Sequence, residues 1–216
     1  MSVTLTPPWL EFDLGGEMQV LSWAINRPGQ VSARRILWRE VQNADLPLDL
    51  DVHDWLAGEL AARDALDAVC FLTSRHLTSH VVRAAVVGTT RATAVATVGL
   101  SNAERVGLRQ ERRGADWGTI NIAVRINRGL SGAAMIEAMS IATQARTAAV
   151  MEAGPDLPGG RATGTGTDCI AVAVPQGSEG YAGLHTEIGE AIGRAVYDAV
   201  LAGTEDWMRD RGQRPA

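Results

Sequence analysis

The sequence has no lysine: all 20 basic residues among its 216 are arginine. This absence excludes a Schiff-base lysine, a lysine general base and the lysine of a phosphate-binding P-loop. The formal net charge of −5 also argues against a protein that neutralises phosphates along a nucleic acid. The composition therefore predicts no nucleic-acid partner.

Cysteines and long apolar runs are also scarce. Cys70 and Cys169 are the two cysteines, and each lies in an apolar, strand-like run, which predicts buried free thiols in a reducing cytoplasm. No stretch approaches the roughly 20 apolar residues of a membrane span. The N-terminus has no basic start and no apolar h-region, and it carries Glu11 and Asp13, so we do not interpret it as a signal peptide. We expect a cytoplasmic protein with no membrane partner.

The hydrophobic share of 46% and a mean hydropathy of −0.01 are typical of a soluble globular protein, and the length favours one domain over residues 1–216. The N-terminal part predicts an antiparallel meander with turns at 15–16 and 26–29. A helix is predicted over 51–66. The predicted strands in the first half cover 9–14, 19–25, 34–41, 68–74 and a run over 81–100 that divides at 88–90.

The second half contains two similar strand–loop–helix units, which suggest an internal pseudo-repeat. In the first, a strand over 119–126 leads to a helix over 131–151; in the second, a strand over 167–174 leads to a helix over 184–208. Thr186 or His185 is the predicted N-cap of the last helix. The whole pattern predicts an α+β fold in which a mixed or antiparallel sheet, with an N-terminal meander, packs against three main helices.

Three segments place small polar residues where strands begin or end, which is where short side chains and backbone donors can converge on a ligand. They are residues 96–107 with Asn102, residues 118–135 with Asn121, and the glycine- and threonine-rich stretch that begins at 161. Each could be an ordinary turn when taken alone. Convergence of all three would indicate a binding site.

The sequence Thr-Gly-Thr-Gly-Thr-Asp over 163–168 is the richest of these segments. Gly164 and Gly166 permit a close backbone approach and a positive φ, which would leave N–H groups free for an oxyanion or an amide oxygen. The hydroxyls of the three threonines, Thr163, Thr165 and Thr167, and the carboxylate of Asp168 stand at the mouth of a buried strand. The alternative is a polar turn at the strand entry.

Further candidates surround the start of the last helix. His185 lies beside a glycine-rich loop, and Glu187, Glu190 and Arg194 share one helical face, so that Glu190 is either a ligand contact or a surface partner of Arg194. Trp117, in the loop before a strand, either stacks on a planar ligand or covers the edge of the core. The tryptophans of the regular elements, Trp9, Trp23, Trp38 and Trp55, are predicted to be core residues.

No metal ligand set is predicted. His76 and His80 have the spacing of a zinc-protease pair, but Leu77 stands where the catalytic glutamate would be, and the segment lies between two strands. A divalent-metal site built from Asp168, His185 and Glu187 is chemically reasonable and stays open as an alternative.

Taken together, the motifs resemble the adenosylcobinamide amidohydrolase family, the CbiZ-type enzymes of corrinoid salvage. The resemblance rests on ATVGLSNAERVG, GTINIAVRIN, ATGTGTDCIAVAV and YAGLHTEIGEAIGRAVYDA, which span most of residues 92–203, whereas the first ninety residues match only in general. It implies hydrolysis of the amide that joins a corrin propionyl side chain to aminopropanol, with adenosylcobyric acid and 1-aminopropan-2-ol as products. The cobalt corrinoid is then the substrate and small-molecule partner, and no cofactor is predicted.

Our mechanistic hypothesis is direct attack by water. Asp168 or Glu187 would act as general base and His185 would protonate the departing amine. Backbone N–H groups of 164–167, together with Asn102 or Asn121, would hold the oxyanion. This hypothesis requires Asp168 and His185 to meet in one pocket.

Other mechanisms remain open. A hydroxyl of Ser101 or of a threonine in 163–167, activated by His185, could be the nucleophile. Self-cleavage before a threonine would expose an N-terminal nucleophile instead. The competing class is a corrinoid- or small-molecule-binding protein without catalysis. The sequence indicates no oligomeric state.

Overall fold

The fold is α+β, as predicted, in a computed structural model that describes residues 1–47, 49–109 and 118–212. The helices are α1 (Val52–Ala61), α2 (Gly132–Ala153) and α3 (Glu187–Gly212). The strands are β1 (Ser2–Thr6), β2 (Trp9–Ser22), β3 (Gly29–Glu40), β4 (Val69–Thr73), β5 (Val81–Val87), β6 (Thr90–Val98), β7 (Ala103–Glu104), β8 (Ile120–Ile126), β9 (Asp156–Leu157), β10 (Gly160–Arg161), β11 (Gly164–Thr165) and β12 (Cys169–Val174).

Among the described residues, eight strands form one mixed sheet. Its order is β4-β3-β2-β12-β8-β6-β5, and β1 pairs with β2. The pairs β3–β4 and β8–β12 are parallel, and the other pairs are antiparallel. Although three strands separate β4 from β8, the Asn121 side chain on β8 donates a hydrogen bond to the Leu72 carbonyl on β4. The sheet is therefore strongly curved, and β4 faces β8.

Alternation along the strands divides the core between the two faces of this sheet. Along β12, Ala171 and Ala173 contribute to the concave face with Phe12, Trp38 and Phe71. The intervening Ile170, Val172 and Val174 pack instead with α2 and α3. A third cluster lies under α1, where Leu56 and Leu60 pack with Leu37 and Cys70. Because successive side chains of a strand point to opposite faces, the residues of one face form a row along the strand. A polar residue at the end of a row on the concave face therefore lies close to the space that this face encloses.

Each helix begins at a side-chain cap, close to the predicted start. Asp51 accepts hydrogen bonds from the N–H groups of His53 and Asp54, Ser131 Oγ accepts from Ala134, and Thr186 Oγ1 accepts from Gly189. Thr186, one of the two predicted caps, is thus the cap of α3. None of the helices within the described ranges combines the length and the apolar character that crossing a lipid bilayer requires.

The N-terminal meander differs from the prediction at one turn. Strand β2 continues through Gly15 and Gly16, where its register against β3 shifts, and Gly15 has a φ of +78°. The predicted turn at 15–16 is therefore wrong, because the glycines form a bulge within one strand. The predicted reversal at 26–29 is confirmed, since β2 ends at Ser22 and β3 begins at Gly29. Strand β1 was not predicted.

Candidate active site

A pocket of about 360 Å³ opens where β4 approaches the first residues of β8 and β12. One side is apolar and the other carries hydroxyl, amide and carboxyl groups. Its lining residues are Trp23, Ile25, Val41, Gln42, Leu46, Phe71, Leu72, Thr73, Ser74, Gly118, Thr119, Asn121, Thr167, Asp168 and Cys169. This combination of a mostly apolar cleft with a few convergent polar groups is typical of small-molecule sites.

Trp23 forms part of the apolar side and is not a core residue, contrary to the prediction. It is 49% exposed, and its indole N–H donates to the main-chain carbonyl of Asp168 at 2.7 Å. This hydrogen bond fixes the orientation of the indole ring, part of which stays exposed to solvent. Trp23 lies inside the predicted strand over 19–25, whereas β2 ends at Ser22, and no sequence signal marks this difference.

Asn121 is the central polar residue of the pocket, as far as the described residues go. Its side chain is buried, and its amide nitrogen donates to the Leu72 carbonyl at 2.6 Å. Its amide oxygen lies 3.2 Å from the hydroxyl of Thr119, which also lies 2.8 Å from the Thr167 carbonyl. Because an asparagine amide has two hydrogens, the bond to Leu72 leaves one for a ligand.

Asp168 is held by four donors. Oδ1 accepts from the N–H of Ile120 at 3.2 Å and from the Thr165 hydroxyl, and Oδ2 accepts from the N–H of Thr165 at 3.0 Å and from the Arg146 guanidinium. The Asp168 side chain is 7% exposed and that of Arg146 is 13% exposed. Burial lowers the pKa of Arg146 from its ordinary value, but an arginine side chain stays protonated in proteins. All four acceptor positions of the carboxylate are therefore engaged.

The glycine- and threonine-rich segment comes together with the other two candidate segments, as predicted. Strand β11 pairs with β7, the amide nitrogen of Asn102 lies 3.2 Å from the Thr167 hydroxyl, and the Thr163 hydroxyl accepts from the N–H of Val106 at 2.8 Å. A Cβ on Gly164 would overlap Arg146 and Asp168, which explains the need for glycine there.

Two details of this segment differ from the prediction. Neither Gly164 nor Gly166 has a positive φ. The N–H groups of Thr165 and Thr167 also point back into the turn, to Asp168 and to the Thr165 hydroxyl. These two N–H groups are thus used within the turn and do not form an open anion cradle.

The structure does not bring His185 or Glu187 to this pocket. The Glu187 carboxylate accepts from the N–H of Thr89 at 3.4 Å, and the amide nitrogen of Asn127 donates to the Thr89 carbonyl at the carboxyl end of β8. Asp168 binds Ile120 at the opposite end of that strand, roughly 20 Å away for six residues of extended chain. His185 lies exposed two residues before Glu187, so the expectation that it meets Asp168 in one pocket is wrong.

The remaining candidates are placed as follows. Glu190 is exposed and pairs with Arg194 at 3.2 Å, which matches the surface-partner interpretation. Trp117 lies outside the described residues. Within the described ranges no three histidine, cysteine or acidic side chains lie close enough to hold a metal ion. The alternative metal site needed Asp168 beside His185 and Glu187, and the structure separates them.

The two cysteines are free and buried, as predicted. Cys169 lines the pocket, but burial raises its pKa to about 12, so its thiol is protonated at neutral pH. Burial raises the pKa of Cys70 as well. Since the thiolate is the nucleophilic form, neither residue is suited to nucleophilic catalysis.

Comparison with known proteins decides the family. The model of the adenosylcobinamide amidohydrolase family matches residues 2–212. The chain belongs to this amidohydrolase family. The resemblance seen in residues 92–203 is thereby confirmed, and the match extends through the N-terminal strands, whose sequence resembled the family only in general.

Two other similarities are more limited. The chain is 41% identical over 91 residues to the uncharacterized protein MJ1613 of Methanocaldococcus jannaschii. That alignment covers 39% of this chain and 34% of the archaeal protein, so this chain matches about a third of that protein's length. The crystal structure of the PH0078 protein from Pyrococcus horikoshii OT3 is similar with a TM-score of 0.41 and 9% identity, covering 90% of this chain and 76% of that one.

Proposed function

We propose that this protein hydrolyses the amide bond between aminopropanol and the corrin propionyl side chain of adenosylcobinamide, releasing adenosylcobyric acid and 1-aminopropan-2-ol. The observation that carries the proposal is the family match over residues 2–212. The pocket supports it, because an apolar side and a polar side suit an amide-bearing arm attached to a large ring system.

The size of the pocket fits the arm of such a substrate. Its volume of about 360 Å³ is near the lower end of the range of roughly 300–1,000 Å³ that small-molecule pockets occupy. The aminopropanol arm and the scissile amide would enter, and the macrocycle would remain at the mouth. Trp23, which is held in place and half exposed, offers a flat apolar surface for it there.

In this proposal the scissile carbonyl lies against the polar side and is attacked directly by water. Asn121 holds the developing oxyanion with its remaining amide hydrogen, and Asn102 supports it by orienting Thr167. Asp168 positions the turn through its four hydrogen bonds and does not accept the proton. The proposed reaction assigns no role to His185, Glu187 or Glu190, because these residues lie outside the pocket.

A second candidate is binding without catalysis. It is favoured by one observation: among the described pocket-lining side chains, the titratable ones are Asp168, which is fully engaged, and Cys169, whose pKa is raised. Such a protein would keep the apolar side and the amide groups and would retain the intact corrinoid.

One experiment separates the two candidates. Purified protein is incubated with adenosylcobinamide, and the corrinoid and aminopropanol products are followed by liquid chromatography and mass spectrometry. We expect stoichiometric cobyric acid and aminopropanol, both before and after treatment with a chelator. Retention of the intact corrinoid with no product would favour binding alone. An acyl-enzyme adduct in the intact protein mass would favour a hydroxyl nucleophile over water.

Substitution of Trp23 tests the proposed platform for the macrocycle. We expect Trp23→Ala to raise KM about tenfold, equivalent to about 1.4 kcal/mol of binding, with kcat within twofold of the wild-type value. Trp23→Phe should recover most of the affinity, because it keeps an aromatic face although it cannot donate to the Asp168 carbonyl. Equal KM values for Trp23→Ala and the wild type would show that the ring does not contact substrate.

A further inference from the structure

A histidine and a glutamate form a hydrogen-bonded pair close to the pocket. His76 Nδ1 lies 2.8 Å from Glu40 Oε1, and Glu40 Oε2 accepts from the N–H of Leu77 at 2.9 Å. The carboxylate is thus held by a backbone donor, and it in turn fixes the imidazole. A carboxylate bound to Nδ1 selects the tautomer in which Nε2 carries the free lone pair.

The chain connects this pair directly to the pocket lining. Glu40 is the last residue of β3 and pairs in register with Thr73 on β4. Val41 and Thr73, joined by a backbone hydrogen bond of 2.8 Å, both line the pocket, as does Ser74. His76 follows the lining residue Ser74 by two residues.

The loop that carries His76 is anchored although the imidazole is accessible. Arg75 forms ion pairs of 2.7 Å with both Asp206 and Asp210 on α3. The His76 side chain is 74% exposed, whereas its partner Glu40 is 19% exposed. Because this loop continues directly from the lining residues Thr73 and Ser74, an accessible imidazole on it can approach an amide that is bound in the pocket.

We infer that His76 is the general acid–base of the proposed hydrolysis and that Glu40 positions it; this inference rests on the proposed function. Nε2 takes a proton from water as the water oxygen bonds to the amide carbon and the carbonyl π electrons move onto oxygen. When the carbonyl re-forms, the C–N bond breaks and Nε2 returns that proton to the departing nitrogen. The products are a carboxylic acid and 1-aminopropan-2-ol, with no other reactant.

Three ionisable side chains bond to the imidazole or share its loop: Glu40, Arg75 and His80. Glu40, from β3, faces it directly. Arg75 precedes it but is engaged by the two aspartates of α3, and His80, on the same loop, bonds through Nδ1 to the Leu77 carbonyl.

The test compares His76→Ala, His76→Gln and Glu40→Gln with the wild type, using the release of aminopropanol as the readout. We expect His76→Ala to lower kcat about a hundredfold with little change in KM. Free imidazole should restore part of the activity of this variant, which a purely structural role would not allow. Glu40→Gln should lower kcat about tenfold, and the double variant should lose no more than His76→Ala alone.

His53→Ala is the matched control, because His53 is an exposed histidine on α1. Its activity should equal that of the wild type, and all variants should keep the wild-type circular dichroism spectrum. If the wild type releases aminopropanol and both His76 variants stay within threefold of it, the assignment of His76 is wrong while the proposed function stands. If the wild type releases none, the proposed function fails and this inference fails with it.

Discussion

Replacing Asn121 with alanine should lower kcat for aminopropanol release by about 10²–10³-fold, the usual cost of losing one oxyanion-hole donor. Asn121 is 1% exposed and lines the pocket, and its amide retains one hydrogen beyond the bond to Leu72. In a site shielded from water, such a donor stabilises charge that develops only in the transition state, so kcat should fall far more than KM rises. Steady-state kinetics of the purified variant would measure both values.

The substitution also leaves the Leu72 carbonyl without its donor, so folding must be measured separately. Asn127 provides the matched control, because it lies just beyond the other end of β8 and also makes two hydrogen bonds, with Arg91 and Thr89. Asn127→Ala should change thermal stability but not kcat. A kcat for Asn121→Ala within threefold of wild type would exclude its amide from the oxyanion site.

Replacing Arg146 with methionine should lower the free energy of unfolding by about 3–5 kcal/mol, because the change leaves the Asp168 carboxylate buried without its counter-charge. The side chains are 13% and 7% exposed, so water can compensate little. The turn that Asp168 holds includes Thr167, and the Asp168 carbonyl accepts the hydrogen bond that orients Trp23; both residues line the pocket. Activity should therefore fall with stability. Urea denaturation followed by circular dichroism would give the change.

Arg194→Met is the control for this prediction. It breaks an exposed i,i+4 pair with Glu190, whose side chains are 58% and 52% exposed, and should cost no more than about 0.5 kcal/mol. The double variant Arg146→Met/Asp168→Asn should regain part of the stability, since no unpaired charge remains buried. A loss below about 1 kcal/mol for Arg146→Met would mean that the carboxylate is not held as described.

Prediction from sequence succeeded where a local pattern determines the structure. The predicted helix start at 131 and the predicted cap at Thr186 agree with the structure. The run over 81–100, rich in Val, Ala and Thr, divides at 88–90 into two strands, as predicted. Prediction failed at Gly15, where a bulge and a turn need the same residue type and only the pairing with β3 distinguishes them. It placed Trp23 in the core because an aromatic residue at a strand end does not reveal what covers it.

Only part of the candidate site could be predicted, because some of its contacts join segments that are distant in the sequence. Small polar residues at the starts of β8 and β12 were expected to converge, and parallel neighbouring strands do bring Asn121 and Asp168 to one end of the sheet. His185 was assigned to the same pocket on the basis of its glycine-rich surroundings. It follows β12, however, and the helix after a parallel strand begins at the carboxyl end, a full strand length away.

The amino-acid sequence by itself determined the family, the α+β class and the absence of lysine chemistry, because these depend on composition and on short patterns that each segment carries alone. The tertiary structure decided which side chains share a pocket. The curvature of the sheet brings β4 against β8, although Thr119 comes 46 positions after Thr73 along the chain, and it leaves the pair of Glu40 and His76 nearby. Contacts between residues distant in sequence arise from packing, and no local pattern encodes them.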